Sequence, residues 1–420
     1  MKQHLWQCAV LLLFLLFAQS EPAVLSASHS IGHRRYGSIF SFGDSFADTG
    51  NKPIAFAANS VPVTVMRRPY GDTFFGHPTG RTTDGRLILD FLAENLGLPF
   101  VPPSLAHNGS FHRGANFAVA GATTLDADFF HDRNIPGAPS KFPLNTSLNV
   151  QLEWFEKLKP SLCGSTQECK EFLGGRSLFF VGEFGVNDYH LSLKKWSVEQ
   201  VRSLVPLVIE TISAAIERLI KHGATSLVVP GVIPSGCSPP ILTMFADARP
   251  PKYDPKTGCL RAHNELGIHH NTLLQDSLRR LRAKHPGVTI VYADFFSPVM
   301  EMIESPHKFG ELLKDCRARL NTLCGDGNLI LNKKVNLIDE MTGFRQDVLQ
   351  VCCGGPGRYN YNDSVSCGDP GATACESPSS SLYFDGVHLT EPGYRYVADG
   401  WLNSINSAAS ANTGWCRSEL

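Results

Sequence analysis

Charge of one sign is what this sequence lacks first. Its 38 Lys and Arg nearly balance 39 Asp and Glu, the net charge is −1, and charged residues make up 18% of the 420. Without a basic surplus there is no electrostatic footprint for a polyanion, so nucleic-acid binding is excluded, and no polybasic stretch marks a lipid surface. Long apolar runs are scarce too. Cys8–Ala18 is too short to span a bilayer comfortably, and Ala18-Gln-Ser20 follows it as a small-x-small cleavage pattern. The run reads as a secretory signal peptide over residues 1–20, leaving a mature chain with no membrane segment, soluble in the secretory pathway or outside the cell.

No paired Cys-x-x-Cys occurs, and histidines do not alternate with the 12 cysteines, so disulfides in an oxidising compartment are favoured over a metal site. Cys163 lies near Cys169, Cys237 near Cys259, Cys316 near Cys324, and Cys352 and Cys353 near Cys367 and Cys375, with Cys416 alone. Spacing leaves the connectivity open. Sequons at Asn108, Asn145 and Asn362 are usable in the same compartment and mark surface loops. Internal repeats are absent as well. The length exceeds the usual domain size but suits one α/β unit over residues 21–420.

What the chain does have is a set of short apolar runs that each end in small polar residues. Ser38-Ile-Phe-Ser-Phe42 meets Gly43 and the turn Asp44-Ser-Phe-Ala-Asp-Thr-Gly-Asn51, which reads as a strand delivering Ser45 to a place where backbone N–H groups are free. Asn116–Thr123 reads as a second strand ending at Gly121, a glycine that serves a tight turn or lets a bare N–H approach a substrate oxygen. Ser177–Gly182 is the third, leading to Asn187, with Ser226–Val229 and Val288–Ala293 as the fourth and fifth. Helices are predicted over Arg86–Leu96, Val201–Gly223 and Asn264–Lys284, and the stretch from Leu125 to Leu148 reads as a long surface loop near the site mouth. Alternation of strands and helices predicts a doubly wound parallel sheet, whose ligands bind at the carboxyl ends of the strands. His77 and Asp84 read as loop residues, and His263, His269 and His270 as structural or solvated rather than metal ligands.

Near the C-terminus, Asp385 and His388 stand three apart with Gly386 between, so one short turn can point them at each other. That supplies what a serine nucleophile needs: His388 to take the hydroxyl proton and Asp385 to fix its tautomer and stabilise the imidazolium. A Gly-x-Ser-x-Gly elbow in mid-chain, the mark of the other large class of α/β serine hydrolases, is absent. The competing reading of the tetrapeptide has Asp385 and Thr390 capping a terminal helix.

Together the blocks around Ser45, Gly121, Asn187 and His388 resemble the plant GDSL esterase/lipase family, a branch of the SGNH hydrolases, over nearly all of the mature chain. The resemblance implies a flavodoxin-like α/β/α sandwich with a five-stranded parallel sheet. It also implies an oxyanion hole made of the Ser45 N–H, the Gly121 N–H and the Asn187 side-chain amide, with no metal or organic cofactor. The expected enzyme is a secreted, monomeric serine esterase, extracellular or in the cell wall, working through an acyl-serine on small-acyl, lipid or acetylated carbohydrate and secondary-metabolite esters. The same residues could hand the acyl group to an alcohol, an acyltransferase outcome. Leu389-Thr-Glu391 resembles the branch of the sinapine and acetylajmalan esterases, while Phe384 stands where many relatives have Trp and Leu389 where others have Pro.

One stretch departs from the family. Relatives run from a segment like Ser305–Gly310 straight into one like Phe344–Cys352, whereas here residues 311–343 intervene, between a Gly-Glu pair that GGTGAG can encode and a Thr-Gly pair that ACAGG can encode. These strings look like intron borders, so the segment reads as a retained intron translated in frame, forming a dispensable surface excursion.

Overall fold

In the computed structural model, residues 35–107, 109–137, 144–246, 249–309 and 344–412 are described. Residues 1–20, read above as a signal peptide, Asn108, Cys316, Cys324, Cys416 and the segment 311–343 lie outside them. Among the described residues no helix is long and apolar enough to cross a membrane.

Five strands form one parallel sheet in the order β2-β1-β3-β4-β5, where β1 is Ser38–Phe42, β2 Gly114–Asn116, β3 Ser177–Val181, β4 Ser226–Pro230 and β5 Thr289–Ala293. The strands are apolar on both faces because both are covered. Phe40, Phe42, Phe179, Val181, Leu227 and Val229 face one layer, built on the helices Leu148–Leu158, Val205–Lys221 and Arg261–Lys284. Ile39, Leu178, Phe180, Val228 and Val291 face the other, built on Ile88–Asn95, Phe296–Glu304 and the terminal helix Glu391–Asn412. This is the burial expected of parallel strands. Phe155 packs edge-on against Phe40 at 5.8 Å and Phe117 at 5.9 Å between ring centroids, and each such buried ring contributes roughly 1.5–3 kcal/mol. Trp401 is buried on the opposite face, and its indole N–H donates to Asp294 O at 2.8 Å.

Three local expectations need correcting. The second strand is earlier and shorter than Asn116–Thr123: the ladder stops at Asn116, whose side chain donates to Ala47 O and accepts from Ala118 N. Beyond it the chain still follows β1 through Phe117 N to Ser41 O and Val119 N to Gly43 O, but as an irregular segment. The helix expected from Val201 to Gly223 is two, Val198–Arg202 and Val205–Lys221, because Pro206 has no N–H to continue the first and fits the opening turn of the second. The stretch after Leu125 is not all loop, since Ala127–Asp132 is helical.

The cysteines pair as Cys163–Cys169, Cys237–Cys259, Cys352–Cys375 and Cys353–Cys367. The last two tie together a lobe that hydrogen-bonds alongside the segment before Asp385, through Cys352 N to Tyr383 O and Cys353 N to Phe384 O. Phe309 and Phe344, which flank the 311–343 segment, lie side by side at 5.7 Å, and Phe309 packs on Tyr396 of the terminal helix.

Candidate active site

Strand order reverses between β1 and β3, and it is there, at the carboxyl ends, that the polar residues gather. β1 runs into Gly43, whose backbone is gripped from both sides by the fully buried Gln151: Gly43 N donates to its Oε1 at 2.9 Å and its Nε2 donates to Gly43 O at 2.8 Å. A side chain at Gly43 would come within 2.8 Å of Gly182 O and Glu183 Oε2, so only glycine fits. The next residues close a single turn, with Ala47 N and Asp48 N donating to Asp44 O and Phe46 N to Asp44 Oδ1. Ser45 sits at its start, 6% exposed.

Asp48 fixes what lies around that turn. Its carboxylate accepts from Gly50 N, Asn51 N and Lys52 N, and from Ala120 N at 2.8 Å, so one side chain caps the helix Asn51–Ala57 and anchors the segment that presents Gly121. Gly121 has φ +94°, a conformation other residues rarely take, and a Cβ there would meet nothing within 4 Å. The glycine is thus required by its backbone conformation and faces open space. Neither the Ser45 N–H nor the Gly121 N–H donates to a described residue. Asn187 is not at the strand end itself but in the helix Val186–Ser192 that follows β3. Its amide donates to Asp44 Oδ2 at 2.8 Å and to Ala122 O at 2.9 Å. Neighbouring Asp188 accepts from Thr124 N and Leu125 N, holding the loop beyond Gly121, and burial pushes its carboxyl up to about 6.

From the far end of the chain, a tight loop closed by Phe384 N donating to His388 O brings in the remaining pair. His388 Nδ1 lies 2.5 Å from Asp385 Oδ1, and Nε2 lies 2.6 Å from Ser45 Oγ. The serine, the histidine and the carboxylate therefore form one hydrogen-bonded chain, and with Gly121 and Asn187 they line a single cleft of about 290 Å³. Lys52, His190, Lys194 and Asp363 add charge or polarity to its walls, and Val63, Ile241 and Met244 an apolar patch. Asn362 is also on the wall of this cleft, whereas Asn145 is exposed elsewhere on the surface.

The other candidates fall outside. His77 is exposed, bonded through Nδ1 to Phe75 O. Asp84 is in a loop yet fully buried, and its Oδ1 accepts from Glu391 N at 2.9 Å, so it, and not Asp385, caps the terminal helix. Thr390 turns its hydroxyl to Ser381 O. His263 and His270 are buried in helix packing; burial pushes them down to about 4 and about 3. Among the described residues no group of three or more His, Cys, Asp or Glu side chains is placed to hold a metal ion.

Sequence reasoning missed two residues here. Glu183 follows β3 with φ +57°, 4% exposed, its Oε2 without a partner, and burial followed by the charge of Asp44 pushes its carboxyl well above the usual range. An acid directly after a buried strand is the only local signal. Tyr70 reaches Asp385 from 315 residues away, and no local pattern announces such a contact.

A doubly wound sheet with a serine, histidine and aspartate hydrogen-bonded in series at its switch point defines a class, the α/β/α hydrolases with the serine first and the histidine last in the chain. Residues 39–401 match the family model GDSL-like Lipase/Acylhydrolase. Similar proteins include two GDSL esterase/lipases of Arabidopsis thaliana, one 40% identical over 91% of this chain and 88% of its own, the other 42% identical over 88% and 91%. Sinapine esterase of Brassica napus is 40% identical over 95% of this chain and 93% of its own. The chain belongs to the GDSL-like lipase/acylhydrolase family, and it is a hydrolase acting on ester bonds.

Proposed function

We propose that the protein is a secreted carboxylesterase that works through an acyl intermediate on Ser45. The observation that carries this is the continuous chain Ser45 Oγ, His388 Nε2, His388 Nδ1, Asp385 Oδ1, with links of 2.6 and 2.5 Å, opening on a cleft. An alcohol is a weak nucleophile until a base takes its proton. His388 does so as Oγ bonds to the ester carbonyl carbon, and Asp385 holds the ring with Nε2 toward the serine and stabilises the imidazolium. The carbonyl oxygen becomes an oxyanion, met by the uncommitted N–H groups of Ser45 and Gly121. Both Asn187 amide hydrogens have acceptors in the resting site, so this residue joins by sharing or releasing its bond to Ala122 O. The imidazolium then protonates the departing alkoxide and the C–O bond breaks. Water enters and bonds to the acyl carbon as His388 takes its proton, and the imidazolium returns that proton to Ser45 Oγ as the acyl–Oγ bond breaks, so that ester and water leave as acid and alcohol and the enzyme is regenerated.

A cleft of this size with charged and polar walls suits a small ester of a polar alcohol, such as acetylated sugars and secondary metabolites, and the likeness to a sinapine esterase supports a secondary-metabolite ester. Four disulfides among the described residues and the apolar leader at Cys8–Ala18 support passage through an oxidising secretory compartment. For the chain's organisation, we propose one hydrolase domain over 21–420 interrupted by 311–343. The direct test is trapping with a fluorophosphonate probe. Ser45→Ala is expected to abolish labelling and ester hydrolysis while leaving the fold intact; labelling that persists in the mutant would remove Ser45 as nucleophile.

A further inference from the structure

We propose that Tyr70 is a positioning residue for the catalytic chain: its phenol holds the outer oxygen of Asp385, setting the rotation and charge of the carboxylate that His388 leans on. The inference rests on the triad reading above. Tyr70 Oη donates to Asp385 Oδ2 at 2.5 Å, while the other oxygen, Oδ1, faces His388. The Asp385 side chain is only 7% exposed, so Oδ2 has little water to turn to, and a buried carboxylate oxygen without a donor is costly. The phenol is a donor that stays one. Burial first, and then the Asp385 charge and hydrogen bond, push the Tyr70 hydroxyl well above its ordinary range. It therefore polarises and orients the carboxylate without exchanging a proton with it.

Tyr70 is itself held from outside the site. Its ring is 3% exposed and packs edge-on against Phe384 at 5.3 Å, in a small cluster with Val65, Cys352, Cys353 and Cys367. Arg67, one turn before it, pairs with Asp369 at 2.6 Å, on the lobe closed by the two neighbouring disulfides. The cross-linked lobe thus braces the tyrosine, and the tyrosine braces the acid. The remaining titratable groups that bear on this pair are Tyr361 and Tyr394, both acted on by the Asp385 charge, with Asp363 bonded to Tyr361, and Asp369 acting on Tyr70. Both tyrosines are pushed upward, first by burial, and do not titrate in the working range of the enzyme.

Loss of the phenol moves acid sensitivity in one direction. Asp385 Oδ2 is then left buried without its donor, and the charged carboxylate that orients His388 is held less firmly, so the catalytic pair loses its activity sooner as pH falls. The test is Tyr70→Phe in the full chain with its disulfides formed, assayed with p-nitrophenyl acetate from about pH 5 to 9. The expected kcat/KM falls about tenfold, the scale of one hydrogen bond to a charged group, with KM within about twofold. The acid limb of the profile moves up by about half a pH unit or more, and the melting temperature falls by no more than about 2 to 4 °C, the scale of one buried donor lost in a chain of this length. A raised KM with kcat and the acid limb unchanged would make Tyr70 a wall of the cleft and overturn the proposal, as would a loss that tracks the folded fraction. Ser45→Ala and Asp385→Asn run in parallel separate the two readings: an active Asp385→Asn enzyme overturns the triad, while inactive controls beside an unaltered Tyr70→Phe profile overturn the role of Tyr70 alone.

Discussion

His270 gives the fold a defined sensitivity to acid. It lies on the helix Arg261–Lys284, fully buried, with Nδ1 at 2.7 Å from Tyr189 Oη and Nε2 without a partner. Its ring fills the space against Gly185, where a Cβ would come within 2.9 Å of it, so it packs behind the turn that presents Asn187. Burial, and then the charge of His269, push its pKa down to about 3. The unfolded chain takes up this proton below ~6.5, whereas the folded chain stays neutral there, so the unfolded state binds more protons as pH falls from about 6.5 toward 3. Stability present above ~6.5 is lost in that window. At pH 5 the loss is about 2 kcal/mol, at 1.36 kcal/mol for each pH unit below the unfolded value. For a chain of 420 residues with ~2.1 cal/mol/K per residue, that lowers Tm by about 2 to 3 °C. His263, down to about 4 through burial, adds in the same sense. Asp188, raised to about 6, opposes both: the folded state keeps a proton that the unfolded state releases above ~3.9, so its contribution grows as pH falls through 6. The wild-type curve alone therefore mixes signs, and the informative quantity is a difference. His270→Gln can still bond Tyr189 but cannot titrate. Scanning calorimetry at pH 8 and pH 5 is expected to show the variant less stable at pH 8 and the gap narrowed by about 2 to 3 °C at pH 5. Parallel curves for the two proteins would refute the assignment of a suppressed protonation to His270.

Asn187→Ala is expected to lower kcat by roughly 10² to 10³, the scale of one lost oxyanion donor, with fluorophosphonate labelling slowed in step; a fall in melting temperature with turnover per folded molecule unchanged would reduce the residue to a brace for Asp44. Deleting Glu311 through Gly343 is expected to keep esterase activity and improve secretion, because Phe309 and Phe344 already lie in contact at 5.7 Å and a short join spans them. An inactive deletion variant, together with transcripts that uniformly carry the segment, would show it to be an evolved part of the enzyme.

How much of this was legible in the sequence divides along the range of the interactions. β3 and β4 were readable because parallel strands buried on both faces leave unbroken apolar runs such as Leu178-Phe-Phe-Val181. The end of β2 was not, since it depends on an asparagine side chain, Asn116, bonding to the backbone of the turn that carries Ser45. Pro206 did mark a helix break, but apolar spacing on either side of it reads as one continuous face. In the site, Asp385 and His388 were readable as a pair because a three-residue turn suffices to join them. That His388 also reaches Ser45, 343 positions away, followed from chemistry and family likeness rather than from any local pattern.

The residues that stayed hidden are those whose roles depend on distant partners and leave no spacing behind. Asp84 looks like one more turn residue until its oxygen meets the first N–H of the terminal helix. Glu183 occupies a backbone conformation that few side chains adopt, buried beside Asp44; strain of this kind persists only where the surroundings impose it. Arg81 and Asp90, paired at 2.8 Å with almost no exposure, hold the loop before the helix Ile88–Asn95. None of these side chains belongs to the hydrogen-bonded chain of Ser45, His388 and Asp385 itself. The motif residues can therefore be intact in a sequence while the geometry that joins them into one hydrogen-bonded chain depends on loops that the motif does not include.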